Sequence, residues 1–170
     1  TVLKDLAIPG KSLLAPGFPG YNEKLTDYAV FDPAKAKEHL AKAGYPNGEG
    51  FPKIHLDVSS GKYLNKNVAE AVQKMLLDNL NISIDINYYP LSELIDKFNN
   101  GKSDFWGLTW LADYPDPQNF LQIFNGAVVP SADEVSHTNH SRYQNPLFDE
   151  FYDNAIHAKD QQQAMSNYYK

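Results

Sequence analysis

The sequence predicts an α/β fold built on a parallel sheet, and three observations lead there. Ile54, Leu56 and Val58 alternate with polar residues, as do Ile82, Ile84, Ile86 and Tyr88, which is the period of two expected of a half-buried strand. Val68, Val72, Met75, Leu76 and Leu80 follow the first run, and Leu91, Leu94, Ile95 and Phe98 follow the second, at the three- and four-residue spacing of amphipathic helices. Asp104 to Trp110, rich in aromatics and β-formers, then supplies a third strand and completes the order βαβαβ. Right-handed crossovers of that order build a parallel sheet with helices on both faces, the strands ending near Ser59, Tyr89 and Trp110.

Before this core, residues 1–30 carry Pro9, Pro16 and Pro19 with Gly10, Gly17 and Gly20 and no sustained periodicity, so they read as an irregular surface connector. Asp32-Pro33 offers an N-cap followed by proline at the first helical position, and Ala34 to Ala43 reads as an Ala-rich helix stopped by Gly44. Lys35, Lys37 and Lys42, with Glu38 and His39, form its wet face. A turn through Pro46-Asn47-Gly48 leads into the first strand. After the core, Gln118 to Phe124 is a short helix and Gly126 to Asn145 a polar loop. Pro146 to Tyr168 makes one or two amphipathic helices using Phe148, Phe151, Ile156, Ala164 and Tyr168. The 170 residues are read as a single domain.

Composition narrows the function. A hydrophobic content of 42% with 21% charged residues is that of a globular protein, not a disordered one. A net charge of -6, with only 15 Lys and Arg and no stretch concentrating them, argues against a nucleic-acid partner. No apolar run is long enough to cross a bilayer, and without an initial Met, a basic n-region or an h-region, Thr1 reads as an excision point. The absence of cysteine removes disulfides, thiolate metal sites and Cys nucleophiles together.

The run Trp110-Leu111-Ala112-Asp113-Tyr114-Pro115-Asp116-Pro117 places a carboxylate among aromatics at the expected C-terminal end of the third strand. Ligands are held at that edge of open α/β sheets, so Asp113, flanked by Trp110 and Tyr114, is the candidate for gripping a cationic group. The same residues also make a turn in which Asp113 or Asp116 caps backbone amides, with Asp116 the expected cap, and Trp110 and Tyr114 suit a core as well as a cleft wall. Asp133 to His140 carries metal-ligand types, with His137 and His140 three apart. Ser, Thr and Asn crowd around them and no third ligand is fixed by spacing, so the segment reads as a solvated loop without metal. Gly10-Lys11-Ser12 and Gly101-Lys102-Ser103 lack the glycine a phosphate loop needs five residues earlier, where Asp5 and Asp96 stand. No Gly-x-Ser-x-Gly or His-Glu-x-x-His motif is present, so no enzyme is expected and no cofactor is implied.

Phe31 to Tyr45 (FDPAKAKEHLAKAGY), Trp110 to Leu121 (WLADYPDPQNFL) and Asn139 to Asp149 (NHSRYQNPLFD), in this order and separated by the βαβαβ elements, resemble the C-terminal lobe of the extracytoplasmic solute-binding proteins of oligopeptide and dipeptide ABC transporters. The resemblance covers nearly the whole chain. It implies a periplasmic-binding-protein-like lobe and capture of short peptides outside the cytoplasmic membrane, for delivery to permease subunits. It further implies a role for Asp113 as the carboxylate that pairs with the peptide's free α-amino group. A complete member has two lobes, so the chain is expected to be a fragment lacking the N-terminal lobe and to bind weakly by itself. The resemblance also implies a monomer, exported or lipid-anchored at the cell surface or in a periplasm. Relatives of the fold that take sugars, nickel complexes or opine-like molecules supply the rival within the binding class. A regulatory ligand-sensing module with the same fold is the rival from another class.

Overall fold

The computed structural model describes residues 7, 8, 10, 12–22, 24, 30–61 and 63–169. Within them the chain divides into two compact units, one built mainly from Val30–Phe98 and Lys102–Leu108, the other mainly from Asn99–Gly101 and Thr109 onward. Thr1, Asp5, Pro9 and Lys11, which entered the sequence reading, lie outside the described residues.

The first unit holds the expected βαβαβ core. Helix α1 (Pro33–Lys42) starts where the Asp32 carboxylate accepts from the Lys35 amide at 3.0 Å, and it ends before Gly44, whose φ of 94° suits a residue without a Cβ. Strand β1 (Ile54–Ser59), helix α2 (Tyr63–Leu80), strand β2 (Ile84–Tyr89), helix α3 (Leu91–Asn99) and strand β3 (Phe105–Trp106) follow. All pairing is parallel, in the order β2-β1-β3, and β1 is central. Asn81 ends α2 with a φ of 56°, and here the chain passes so close to Gly48 that a Cβ on that glycine would lie 2.5 Å from the Leu80 carbonyl oxygen. Ile82, expected within the second strand, precedes it and is buried all the same.

Alternation along β1 sends Leu56 and Val58 to one face, where they pack with Ile84 and with Ala69, Val72 and Leu76 of α2. Asp57 points to the opposite face, where Lys97 of α3 meets it, so helices cover both sides of the sheet. On α3, Leu94 and Phe98 are fully buried, and Phe98 stacks on Trp106 with ring centroids 4.6 Å apart. Burial of each such side chain stabilises by about 1.5–3 kcal/mol.

The Asp57 carboxylate is buried and supported from three directions. Ser103 Oγ donates to Oδ2 at 2.6 Å, Asn87 Nδ2 donates to Oδ1 at 3.0 Å from the paired position on β2, and Lys97 Nζ lies 3.1 Å from Oδ2. Lys97 also donates to Tyr89 Oη at 2.9 Å, with its ammonium 4.3 Å from that ring's centroid. Burial opposes the charge on Asp57, but the donors from Ser103, Asn87 and Lys97 outweigh it and hold the carboxyl below its ordinary value.

Two expectations are corrected here. The third strand spans Phe105–Trp106, not Asp104 to Trp110. It pairs only with Leu56 and Asp57, and after the Gly107 amide donates to the Asp57 carbonyl at 3.2 Å the ladder ends at a residue with no side chain to pack on the sheet. The irregular segment is more than a surface connector, because Leu14 is buried in the second unit with Leu121 and Tyr152, and Phe18 meets Phe120 edge-on at 4.9 Å. That unit also contains helix α4 (Gln118–Leu121) and the helices α5 (Pro146–Ile156) and α6 (Gln161–Tyr168), two where one or two were expected.

The Asp57 cluster generates a pH-dependent prediction. Because the folded-state pKa is depressed, the stability it contributes is present above the ordinary value of 3.8 and is lost as pH falls through the folded value. Asp57→Asn should cost about 2 kcal/mol near neutrality, the scale of a charge-assisted hydrogen bond. Urea unfolding of both proteins should show the difference constant from neutrality down to the carboxylate range and shrinking below it. A difference that persists undiminished in acid would contradict this assignment.

Candidate functional site

The aromatic-acidic run lies in the second unit, and its shape is set by prolines and by side chains that replace a ladder. Asp116 is the cap expected of it, its Oδ1 accepting from the Gln118 amide at 2.8 Å. The Asp116 amide donates to the Tyr114 carbonyl at 2.9 Å, and the Leu121 amide to the Pro117 carbonyl at 3.0 Å, so the turn runs directly into α4. Pro117 is buried beneath it.

Asp113 is exposed, and among the described residues its carboxylate accepts no hydrogen bond and joins no ion pair. It is neither a cap nor a strand end, because β3 stops at Trp106 and the chain reaches Asp113 through a loop. The loop is held from within by Asn119, which is 0% exposed. Asn119 Oδ1 accepts from Trp110 Nε1 at 3.0 Å and from the Asp113 amide at 3.3 Å. Its main-chain oxygen takes the same indole at 3.0 Å and Gln122 Nε2 at 3.3 Å. Trp110 is half-buried with its polar edge spent on Asn119, whereas Tyr114 is exposed and reaches Gln118 Oε1 at 3.4 Å. The structure therefore brings Trp110 and Asp113 onto one anchor.

Below the turn, Tyr152 and Tyr168 form a protonated layer. Burial pushes the Tyr152 hydroxyl up, against a hydrogen bond with Gln118. Burial also pushes Tyr168 up to about 12, with the Asp116 carboxylate adding to the effect.

The segment read as a solvated loop is different in kind. Ser136 and Asn139 are buried, and Asn139 uses its whole amide: Nδ2 donates to the Asn125 and Tyr143 carbonyls at 3.0 and 2.7 Å, while Oδ1 accepts from Ser141 Oγ at 3.0 Å and the Tyr143 amide at 3.1 Å. These bonds do the work that a ladder would do for a buried backbone. His140 Nδ1 lies 3.1 Å from the Ser136 carbonyl, which requires the proton on that nitrogen, and burial lowers its pKa. Among the described residues no group of three or more His, Asp and Glu is gathered for a metal ion.

The comparisons with known proteins fit this architecture. Residues 1–130 match the sequence model of the family described as bacterial extracellular solute-binding proteins, family 5 Middle. The chain belongs to the family 5 solute-binding proteins. Family 5 membership bears out the resemblance drawn from the three sequence blocks. The chain is 27% identical over 146 residues to the oligopeptide-binding protein OppA of Bacillus subtilis, covering 83% of this chain and 25% of that protein. It is 28% identical over 157 residues to heme-binding protein A of Haemophilus influenzae, covering 91% of this chain and 27% of that protein. Among solved structures, a periplasmic oligopeptide-binding protein of Borrelia burgdorferi superposes with a TM-score of 0.81 at 28% identity, over 98% of this chain and 31% of that one. The chain thus spans between about a quarter and a third of the length of these family 5 relatives. Among the described residues no helix is long and apolar enough to cross a membrane.

Asn139 generates the prediction for this part of the fold. Asn139→Ala takes the side-chain partner from the Asn125 and Tyr143 carbonyls and the Tyr143 amide around a buried position, so it should lower stability by about 2–4 kcal/mol. Asp133→Ala, on the exposed side of the same loop, should stay within about 0.5 kcal/mol. Denaturant midpoints of the two variants check both, and similar midpoints would refute the buried-amide account.

Proposed function

We propose that this chain supplies one lobe of a two-lobed receptor that captures short peptides outside the cytoplasmic membrane and delivers them to an ABC permease. Asp113 receives the peptide's α-amino group. The observation that carries this reading is an exposed carboxylate with no protein partner among the described residues, on a loop anchored from beneath, in a family of extracellular solute-binding proteins. A structural cap would have a carboxylate oxygen occupied, as Asp116 Oδ1 is. A carboxylate facing an ammonium in a closing, drying cleft makes a charge-assisted hydrogen bond worth about 1.5–3 kcal/mol. Similarity to an oligopeptide-binding protein supports the peptide as solute, and Trp110 and Tyr114 supply flanking aromatic surface for its first residue. The role is binding without turnover, by a monomer that is exported or lipid-anchored, with lobe closure read by the permease. Similarity to a heme-binding protein favours a second reading, a different small solute held by the same lobe.

In the full-length protein, Asp113→Ala should weaken binding of a free-amino tripeptide by about 10- to 100-fold and leave its N-acetylated form within about twofold. Wild-type affinity for the free-amino peptide should also fall as pH rises through about 8, where the ligand's amino group loses its proton. Calorimetric titration reads both. Equal losses for the two peptides would make Asp113 a turn residue, and tight binding of heme that ignores the substitution would favour the second reading.

A further inference from the structure

We propose that Asn119 is the positioning residue of the ligand-facing loop, setting the Asp113 carboxylate and the Trp110 indole in one fixed frame. This rests on the reading of Asp113 as the acceptor for the ligand's amino group. Asn119 occupies a helical position in α4 and is wholly buried, a place where propensity and packing would both select an apolar residue such as leucine. What asparagine adds is an oxygen with two lone pairs, and both are used: one on the side chain of Trp110, one on the backbone of Asp113.

Among the described residues neither N–H has a hydrogen-bond acceptor outside Asn119. The buried amide therefore couples two groups that the sequence separates and that the proposed ligand needs together. Because both partners are donors, the amide must present its oxygen to them, and this leaves Nδ2 buried without a partner. An orphaned buried donor destabilises the fold. A buried asparagine that carries this penalty is explained by what its oxygen holds in place.

The first arm of the test needs no variant. In the wild-type chain, hydrogen exchange by nuclear magnetic resonance should show the Trp110 indole N–H and the Asp113 amide protected; an unprotected Asp113 amide overturns the proposal. In Asn119→Ala the Asp113 amide should lose its protection, the indole should keep part of its own through the main-chain oxygen of residue 119, and the Leu94 and Phe98 amides should keep theirs. In the full-length protein, Asn119→Ala should weaken binding of a free-amino tripeptide by at least about fivefold and reduce its preference over the N-acetylated form. Asn119→Asp, which keeps oxygen acceptors for both donors, should restore most of that preference. If Asp113→Ala abolishes the preference and Asn119→Ala retains it, Asn119 does not position the site, although Asp113 still binds the ligand. If Asp113→Ala leaves the preference intact, the reading of Asp113 fails and the role of Asn119 in binding fails with it.

Discussion

Backbone amides and carbonyls that leave a sheet but stay buried must find side-chain partners, and this constraint shapes everything after Gly107. The parallel ladder ends there, so the run to Pro146 has only short helical turns of its own. Asn119 and Asn139 fill the gap. Each is wholly buried, and each spends side-chain oxygen or nitrogen on groups that a strand would otherwise satisfy. Loops built this way are more defined than their composition suggests, because each bond fixes a particular atom and not merely a burial level. That definition fixes the loop that carries Asp113, whose exposed carboxylate accepts no hydrogen bond among the described residues.

The first unit solves the opposite problem. Asp57 is a charge placed inside a parallel sheet, where desolvation alone would drive its proton on. Three donors from β2, α3 and the approach to β3 make the anion the favoured form, so elements distant in sequence converge on one carboxylate. Breaking such a cluster costs more than its net contribution, because the remaining partners stay buried. The two units thus use polar burial differently: one gathers donors around a charge, the other uses neutral amides to shape a loop.

The hydrophobic spacing made the parallel core legible. Leu56, Val58, Ile84, Leu94 and Phe98 all lie on buried faces, and the Asp32 cap and Gly44 stop stand where local chemistry requires them. Polar residues were harder to read, since period and propensity say nothing about whether an Asn or Asp is dry. Ser136 and Asn139 therefore looked solvated, and Asp57 passed as the polar half of an alternation. The third strand was overextended for a related reason: aromatic content mimicked β-propensity across Gly107, where the pairing ends. Asp113 was singled out from its neighbours in sequence, but Asn119, whose Oδ1 accepts from the Asp113 amide, gave no sign beyond being an Asn inside a short helix.

The proposed function makes the chain part of a peptide receptor. Its most direct test is a calorimetric titration of the full-length protein with pooled peptides of two to five residues, followed in parallel by tryptophan fluorescence. Saturable heat accompanied by a fluorescence change is the expected result. No heat and no fluorescence change, in a protein that still unfolds cooperatively, would contradict it and move the ligand to another class of solute.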